Sequence, residues 1–461
     1  MKKLYITLIA LFLVASCDIL EFDDSINNSP NSPSQAAAQQ LLANAMMSLS
    51  GVSSSTTGEF LGQYLAETQY VVSSRYPSGG VSFYGWYQGP LINLESVLTD
   101  EFSTVTSDNQ LAVAKILKAY YFWHLTDRWG DVPFTEALKG GENIAPAYDT
   151  QKSIYTNLFA LLKEADAQID VTGTIPSDLI YSGDMSKWKK LGNTIRLLMA
   201  LRLSEVDAAT GKTEFNAALT AGVMSSNDDN FVYKHLADAN NQNYWHSQIE
   251  VEGREWWALT KTLVDLMEPY GDPRLEVYGD PARTTGDYVG LPIGSAAAGQ
   301  NTEAFSLLGA AIREQDAPVY LVTYAQVLFA KAEAKELTWI TEDAETNYNA
   351  AIEQSFLQWT GSTNGLAAFM AEPDIAYNAA TAIEQIATQR YVHLFMHGYE
   401  AWAEWRRTGF PAFALSNGNA VPLRQSYTET ESFNNTENYN EAIQRQFGGS
   451  DGIYDAIWWD K

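Results

Sequence analysis

Two alanine-rich segments joined by a short acidic turn constrain this chain more than any other feature. In YLVTYAQVLFAKAEAKELTWITEDAETNYNAAIEQSF, alanines stand at 325, 330, 332 and 334, and Ala344, Tyr348, Ala351 and Ile352 follow the turn. Small side chains let two helices approach closely while larger ones interlock between them. The spacing predicts one helix over 319–337 and a second over 343–358, folded back antiparallel.

The same period recurs along the chain. Ser34 can cap a helix running through QAAAQQLLANAMMSLS. Leu111, Ala114, Leu117, Tyr121 and Leu125 fall near one face of a helix over 109–127. Ile154, Leu158, Leu161, Leu162, Ala165 and Ile169 do the same over 152–169, and a further helix is expected over 186–206. The longest pattern runs from 379 to 408. Strand-like alternation is scarce, so the expected fold is mostly α. The 319–358 unit resembles a tetratricopeptide helix pair, whose period is about 34 residues. Pairing 109–127 with 152–169, and adding the 186–206 helix, gives further units that would stack into a curved scaffold. Four irregular tracts separate these helices: 51–90, 208–254, 271–317 and 409–461. Tracts this long are functional or disordered. Their aromatic, Gly and Asn content marks them as ordered and functional.

The amino terminus has a different logic. Lys2 and Lys3 precede an apolar run, Leu4 to Val14, which is far shorter than the ~20 residues a bilayer span needs. A basic start, a short apolar core and the small Ala15 and Ser16 describe a secretory signal over residues 1–16. Cys17, the only cysteine, follows at once, as in a bacterial lipobox. It is the expected lipidation site, its thiol serving as the nucleophile. Two or more acyl chains make such anchoring stable. The other reading is a plain secretory signal with an incidental buried thiol. Residues 17–35, rich in Asn, Ser, Pro and acids, form the expected tether, and 36–461 one folded body. The formal charge of −27 argues against a nucleic-acid partner, since phosphates demand basic patches.

Four stretches, taken in order, resemble one family. They are KAYYFWHLTDRWGDVPFTEAL (118–138), APVYLVTYAQVLFAKAEA (317–334), QRYVHLFMHGYEAWAEWRRTGFP (389–411) and the tail from 421 to 461. With the lipobox they resemble the SusD/RagB-like outer-membrane lipoproteins of Bacteroidetes. The resemblance implies a tetratricopeptide-like helical hairpin scaffold with a loop-rich ligand-binding part. It also implies a non-enzymatic role: holding an oligosaccharide or, in some branches, a peptide for a TonB-dependent, SusC-like transporter. A glycan hydrolase and a purely protein-recruiting scaffold are the alternatives.

The motifs themselves read mainly as structure. Gly130 permits a sharp helix exit and Pro133 an extended path. Trp402 and Trp405 lie on an apolar stripe, Arg406 and Arg407 can pair with acids, and WWDK pins the carboxyl terminus. For ligand contact, sugars need flat aromatic faces and a polar rim. Two tracts offer both, 70–90 and 240–257. The residues expected to touch ligand are Arg75, Tyr84, Trp86 and Tyr87 from the first, and Asn243, Tyr244 and Trp245 from the second. Gly79, Gly80 and Gly85 are expected to free the first tract from helical geometry. For each the competing reading is loop packing. His393, His397, Glu400 and Glu404 would share one face of a continuous helix, but no His-Glu-x-x-His motif accompanies them, so interhelix contacts or a solvated face is expected there and no metal. Asp228 and Asp229 read as solvated acids. No motif requires a cofactor, and a structural Ca²⁺ is left open.

Overall fold

The computed structural model describes residues 36–99, 103–104, 106–295, 299 and 301–461. Cys17, the signal segment, the tether and Ser34 lie outside the described residues. Four antiparallel helix pairs build the scaffold. Asp108–Trp129 packs on Gln151–Gln168, Met185–Arg202 on Ala208–Ala221, Tyr324–Glu336 on Ala344–Thr360, and Ala382–His393 on Gly398–Thr408. The fold is thus mostly helical and of the tetratricopeptide type.

Local chemistry sets the helix ends. Ser107 and Gln110 form a capping box at the start of the 108–129 helix, and Thr323 and Gln326 do so for the 324–336 helix. Gly130 ends the first helix at φ +83°, where a side chain would be strained, and the chain runs on into the short Val132–Pro133 strand.

Three expectations need correction. Residues 319–322 are not helical: Val319–Val322 is a strand, antiparallel to Phe231–Tyr233, and the helix starts after it. The tract 208–254 is not irregular throughout, because Ala208–Ala221 completes the second helix pair. Its buried face is Gly211, Phe215 and Ala218, with one large residue, so its apolar period is faint. The tail likewise contains the Thr436–Phe447 helix.

The third correction concerns 379–408, which is two helices and not one. The chain breaks at 394–397, with Met396 left-handed at φ 64°. The second helix starts at Gly398, which meets the Thr56–Leu61 helix so closely that a Cβ there would stand 2.2 Å from the Gly58 carbonyl oxygen. Gly398 N–H donates to Glu59 Oε1 at 3.1 Å.

The break separates His393 and His397 from the face they were expected to share with the glutamates. His393 bonds Thr323 Oγ1 at 2.7 Å and Ser355 Oγ at 3.0 Å, and His397 stacks on His124 at 5.4 Å. Burial holds His393 down at about 3 and His397 at about 4. Glu400 and Glu404 turn inward to Arg202, at 2.7 and 2.6 Å. These are interhelix contacts and not a solvated face. Among the described residues no group of three or more His, Cys, Asp or Glu stands as a metal site. Asp229 is buried too, and Lys190 pairs with it at 2.8 Å.

The charged cluster at the centre ties the hairpins together. Arg202 reaches Asp127, Glu400 and Glu404, Arg390 reaches Glu333 and Glu404, and Arg407 reaches the same two acids. Arg406 instead donates to the carbonyls of Leu423 and Asp127 and lies over the Trp402 ring. Trp402 is core, while the half-buried Trp405 stacks on Phe413 at 4.8 Å. The carboxyl terminus is pinned by Trp459, which is buried and donates to Asp127 Oδ1 at 2.8 Å. No helix among the described residues is long and apolar enough to cross a membrane.

Candidate functional site

The residues expected to touch ligand fall into three places. Arg75 is half-buried and donates to the carbonyls of Gly294 and Ser295, at 3.2 and 2.7 Å, holding that loop. Tyr84, Trp86 and Tyr87 pack on the core formed by the first two helix pairs. Trp86 lies edge-on to Tyr121 at 5.7 Å, with the Arg128 guanidinium 5.2 Å from its ring. Tyr87 donates to the Pro133 carbonyl at 2.6 Å, and burial pushes its phenol far up. Tyr84 donates to Glu431. Gly79 and Gly80 lie in non-helical chain, as expected, but Gly85 does not. Tyr84–Trp86 is a helical turn with Gly85 inside it, continuing through a π turn at Tyr87–Leu91.

Asn243, Tyr244 and Trp245 lie elsewhere, against a second core. Asn243 is buried, donates to the Ala317 carbonyl at 3.0 Å and caps the Trp245 N–H at 2.8 Å. Trp245 is 2% exposed, so its ring faces are covered. Yet these residues begin a chain of rings that reaches the surface. Tyr244 meets Trp245 at 5.1 Å, Trp245 meets Trp257 at 5.5 Å, Trp257 meets Trp256 at 5.4 Å, and Trp256 meets Tyr70 at 5.2 Å. Tyr70 is 62% exposed and Trp256 half-exposed.

Backbone pairing positions the outer end of this chain. Leu65–Glu67 is antiparallel to Trp257–Leu259, and Thr68 N–H donates to the Trp256 carbonyl at 2.9 Å. The ladder therefore joins the two sequence tracts at their Tyr70 and Trp256 ends. Alternation along the strand turns Trp257 inward, where its indole donates to Glu67 at 3.0 Å, and Trp256 outward. Polar groups surround the exposed rings. The Arg254 guanidinium stands 6.0 Å from the Trp256 ring and pairs with Glu252 at 2.5 Å. Arg283 pairs with Glu255 at 3.1 Å. A second π turn, Ser247–Val251, lies just upstream. Such turns occur often at functional sites because the extra residue re-aims the chain.

Two cavities complete the surface. One of about 810 Å³ lies between Lys261–Leu266, Tyr270, residues 373–389 and residues 411–415, and is lined by polar and apolar groups alike, with Asp265 held by Lys261 at 2.6 Å. The other, about 570 Å³, is lined by Tyr84 and Tyr87. Burial pushes six carboxyls up: Glu67, Asp127 and Asp131, and further Glu59 to about 8, Glu400 to about 7 and Asp460 to about 6. None of the six lines either cavity.

The class so defined is a scaffold of stacked helix hairpins whose interposed loops display an exposed aromatic face. Residues 30–428 match the SusD-like family described as starch-binding and associating with the outer membrane, and the chain belongs to that family. No curated protein matches it. Among solved structures, a chitin-binding protein is 29% identical over 92% of this chain and all of its own, with a TM-score of 0.81. A SusD homologue from Bacteroides fragilis is 27% identical over the same shares, at 0.80. A chitin-binding SusD homologue from Flavobacterium johnsoniae, 23% identical over 92% of this chain and 98% of its own, shares the fold at 0.78.

Proposed function

We propose that this chain is a lipid-anchored binding protein of the outer membrane that faces the cell exterior. It takes an oligosaccharide on the Tyr70–Trp256 face and passes it to a TonB-dependent, SusC-like transporter without cutting it. The observation that carries this reading is the exposed Tyr70 ring set edge-on to the partly exposed Trp256 at the end of a chain of packed aromatic rings. Sugar rings offer apolar C–H faces to such a surface, and Arg254, Glu252 and Gln248 supply donors and acceptors for hydroxyls. The chitin-binding neighbour at 29% identity supports a glycan as ligand. In this reading Tyr244 and Trp245 hold the face from the core side and Arg75 pins the loop beside it. Cys17 carries the lipid, and Cys17→Ser is expected to move the protein from the membrane fraction to the soluble one.

The test is calorimetric titration with chitin oligosaccharides. Trp256→Ala is expected to weaken binding about tenfold or more and Tyr70→Ala to weaken it less, since stacking on one aromatic ring is worth about 1–3 kcal/mol. Tyr70 is exposed, so its loss should hardly change the melting temperature, whereas Trp256 packs on the second core and its loss should lower it, with the folded fraction at the titration temperature checked by circular dichroism. Undiminished binding by Trp256→Ala refutes the face. Release of reducing ends favours a hydrolase, and binding of peptides but no glycan moves the assignment to the peptide branch.

A further inference from the structure

The 570 Å³ cavity holds a charge that the aromatic face does not account for. Phe83, Tyr84 and Tyr87 form one wall, Pro133, Ala137 and Leu138 another, and Ile144, 85% exposed, stands at the mouth. Glu431 lines the same cavity and is only 5% exposed. Each of its carboxylate oxygens accepts one phenol, Oε1 from Tyr84 and Oε2 from Tyr148. Among the described residues it has no ion pair. Lys139, on the exposed rim, acts on the Glu136 carboxylate and forms no ion pair with Glu431.

A buried carboxylate is costly without a cation: Glu333 and Glu400 each have an arginine, whereas Glu59 and Glu67, which like Glu431 have no ion pair among the described residues, line neither of the two cavities. A carboxylate offers about four acceptor positions, so the two phenols leave about two unused. The phenols also fix the walls. Tyr84 and Tyr87 both have their hydroxyls tied down, so the rings are set before any ligand arrives, which lowers the ordering cost of binding. An aromatic-walled cavity with one buried, cation-free carboxylate is the arrangement that selects an ammonium group. The volume falls in the range of small-ligand sites.

We infer that this cavity is a second ligand site, specific for a cationic amino sugar such as a glucosamine unit of a partly deacetylated glycan. The ammonium sits on Glu431, the pyranose face lies along Tyr84 and Tyr87, and Gln88 and Asn434 on the exposed rim take hydroxyls. This rests on the reading that the ligand is a glycan, and the test separates the two.

The full chain is titrated with a glucosamine trimer and with an N-acetylglucosamine trimer at about pH 6, below the ~8 at which amines of this kind titrate. Glu431→Gln keeps one acceptor for a phenol and adds a donor for the other, so the fold is retained. It is expected to weaken the amine trimer about tenfold or more and to leave the N-acetylated trimer unchanged. Trp256→Ala is expected to weaken the N-acetylated trimer and leave Glu431-dependent binding intact. Ile144→Trp closes the mouth from an exposed position and should reproduce the Glu431→Gln loss without touching the buried network. The whole chain carries −27, so polycations are drawn to it generally. A substitution that alters the charge by one separates the cavity from that background. Amine-trimer binding that survives both Glu431→Gln and Ile144→Trp overturns the second site while leaving the aromatic face standing. Preference of the cavity for lysine peptides over the amine trimer overturns its assignment to a sugar. Failure of both trimers to bind overturns both readings.

Discussion

Arg202→Ala is expected to cost roughly 4 kcal/mol or more. Arg202 is fully buried at the end of the 185–202 helix. Its guanidinium donates to Glu400 at 2.7 Å and Glu404 at 2.6 Å, and its Nε stands 3.2 Å from Asp127. It also lies 5.3 Å from the Trp459 ring that pins the carboxyl terminus. Removing it affects the three acids unequally. Glu404 keeps Arg390 and Arg407, which hold its carboxyl well below the usual range. Glu400 has no second arginine, and burial already pushes it up to about 7. The cost therefore falls on Glu400 and Asp127, left as buried charges. Two further outcomes distinguish this from a simple packing defect. Arg202→Met combined with Glu400→Gln should be less destabilised than the sum of the single changes, because the second change removes a charge the first has orphaned. Arg202 holds Glu400 down, so without it Glu400 titrates above about 7, and the loss in the single variant should be greatest well above pH 7 and shrink as the pH falls toward 7 and the stranded carboxyl takes up a proton. Urea unfolding checks both. A loss under about 1 kcal/mol, or strict additivity, would show that the cluster does not hold the hairpins.

Much of the scaffold was legible in sequence because helix pairs need large and small residues at fixed intervals. The 108–129 and 344–360 helices announce themselves through their stripes and caps. The 208–221 helix was missed because its buried face uses Gly211 and Ala218, which carry little hydrophobic signal. The break at 394–397 was missed for a related reason. The apolar period runs through it, and only the contact of Gly398 with Gly58, 340 residues away in sequence, shows why the helix must restart. The candidate site was legible as tracts but not as residues. Trp256 and Trp257 are adjacent and chemically identical, and the register of a three-residue ladder with Leu65–Glu67 decides which one is exposed. Trp245 looked like a ligand residue from its polar neighbours, but Asn243 uses its polarity to cap the turn that buries the tryptophan. Glu431 gave no signal at all, since its meaning depends on Tyr84 and Tyr148, which come from distant segments.

Glu59 gives the strongest pH dependence expected of the fold. It is fully buried on the 56–61 helix, and one oxygen accepts the Gly398 N–H that starts the last helix of the scaffold while the other has no partner. No cation offsets its charge, and burial pushes its carboxyl from 4.5 up to about 8. The folded chain therefore holds a proton here that the unfolded chain releases above about 4.5. Between those two values the folded state binds more protons than the unfolded one, so stability falls as pH rises, and the loss is complete only above about 8. At ~1.4 kcal/mol per pH unit the full span is on the order of 5 kcal/mol. Glu59→Gln mimics the protonated acid in shape and keeps an acceptor for Gly398. The variant is expected to match the parent near pH 5 and to exceed it by several kcal/mol at pH 9. Other raised carboxyls, Glu400 and Asp460 among them, titrate alike in both proteins and cancel in the difference. Parallel unfolding curves for the two proteins from pH 5 to 9 would mean that Glu59 is charged in the folded state, and that the junction between the 56–61 helix and Gly398 is wetter than its packing implies.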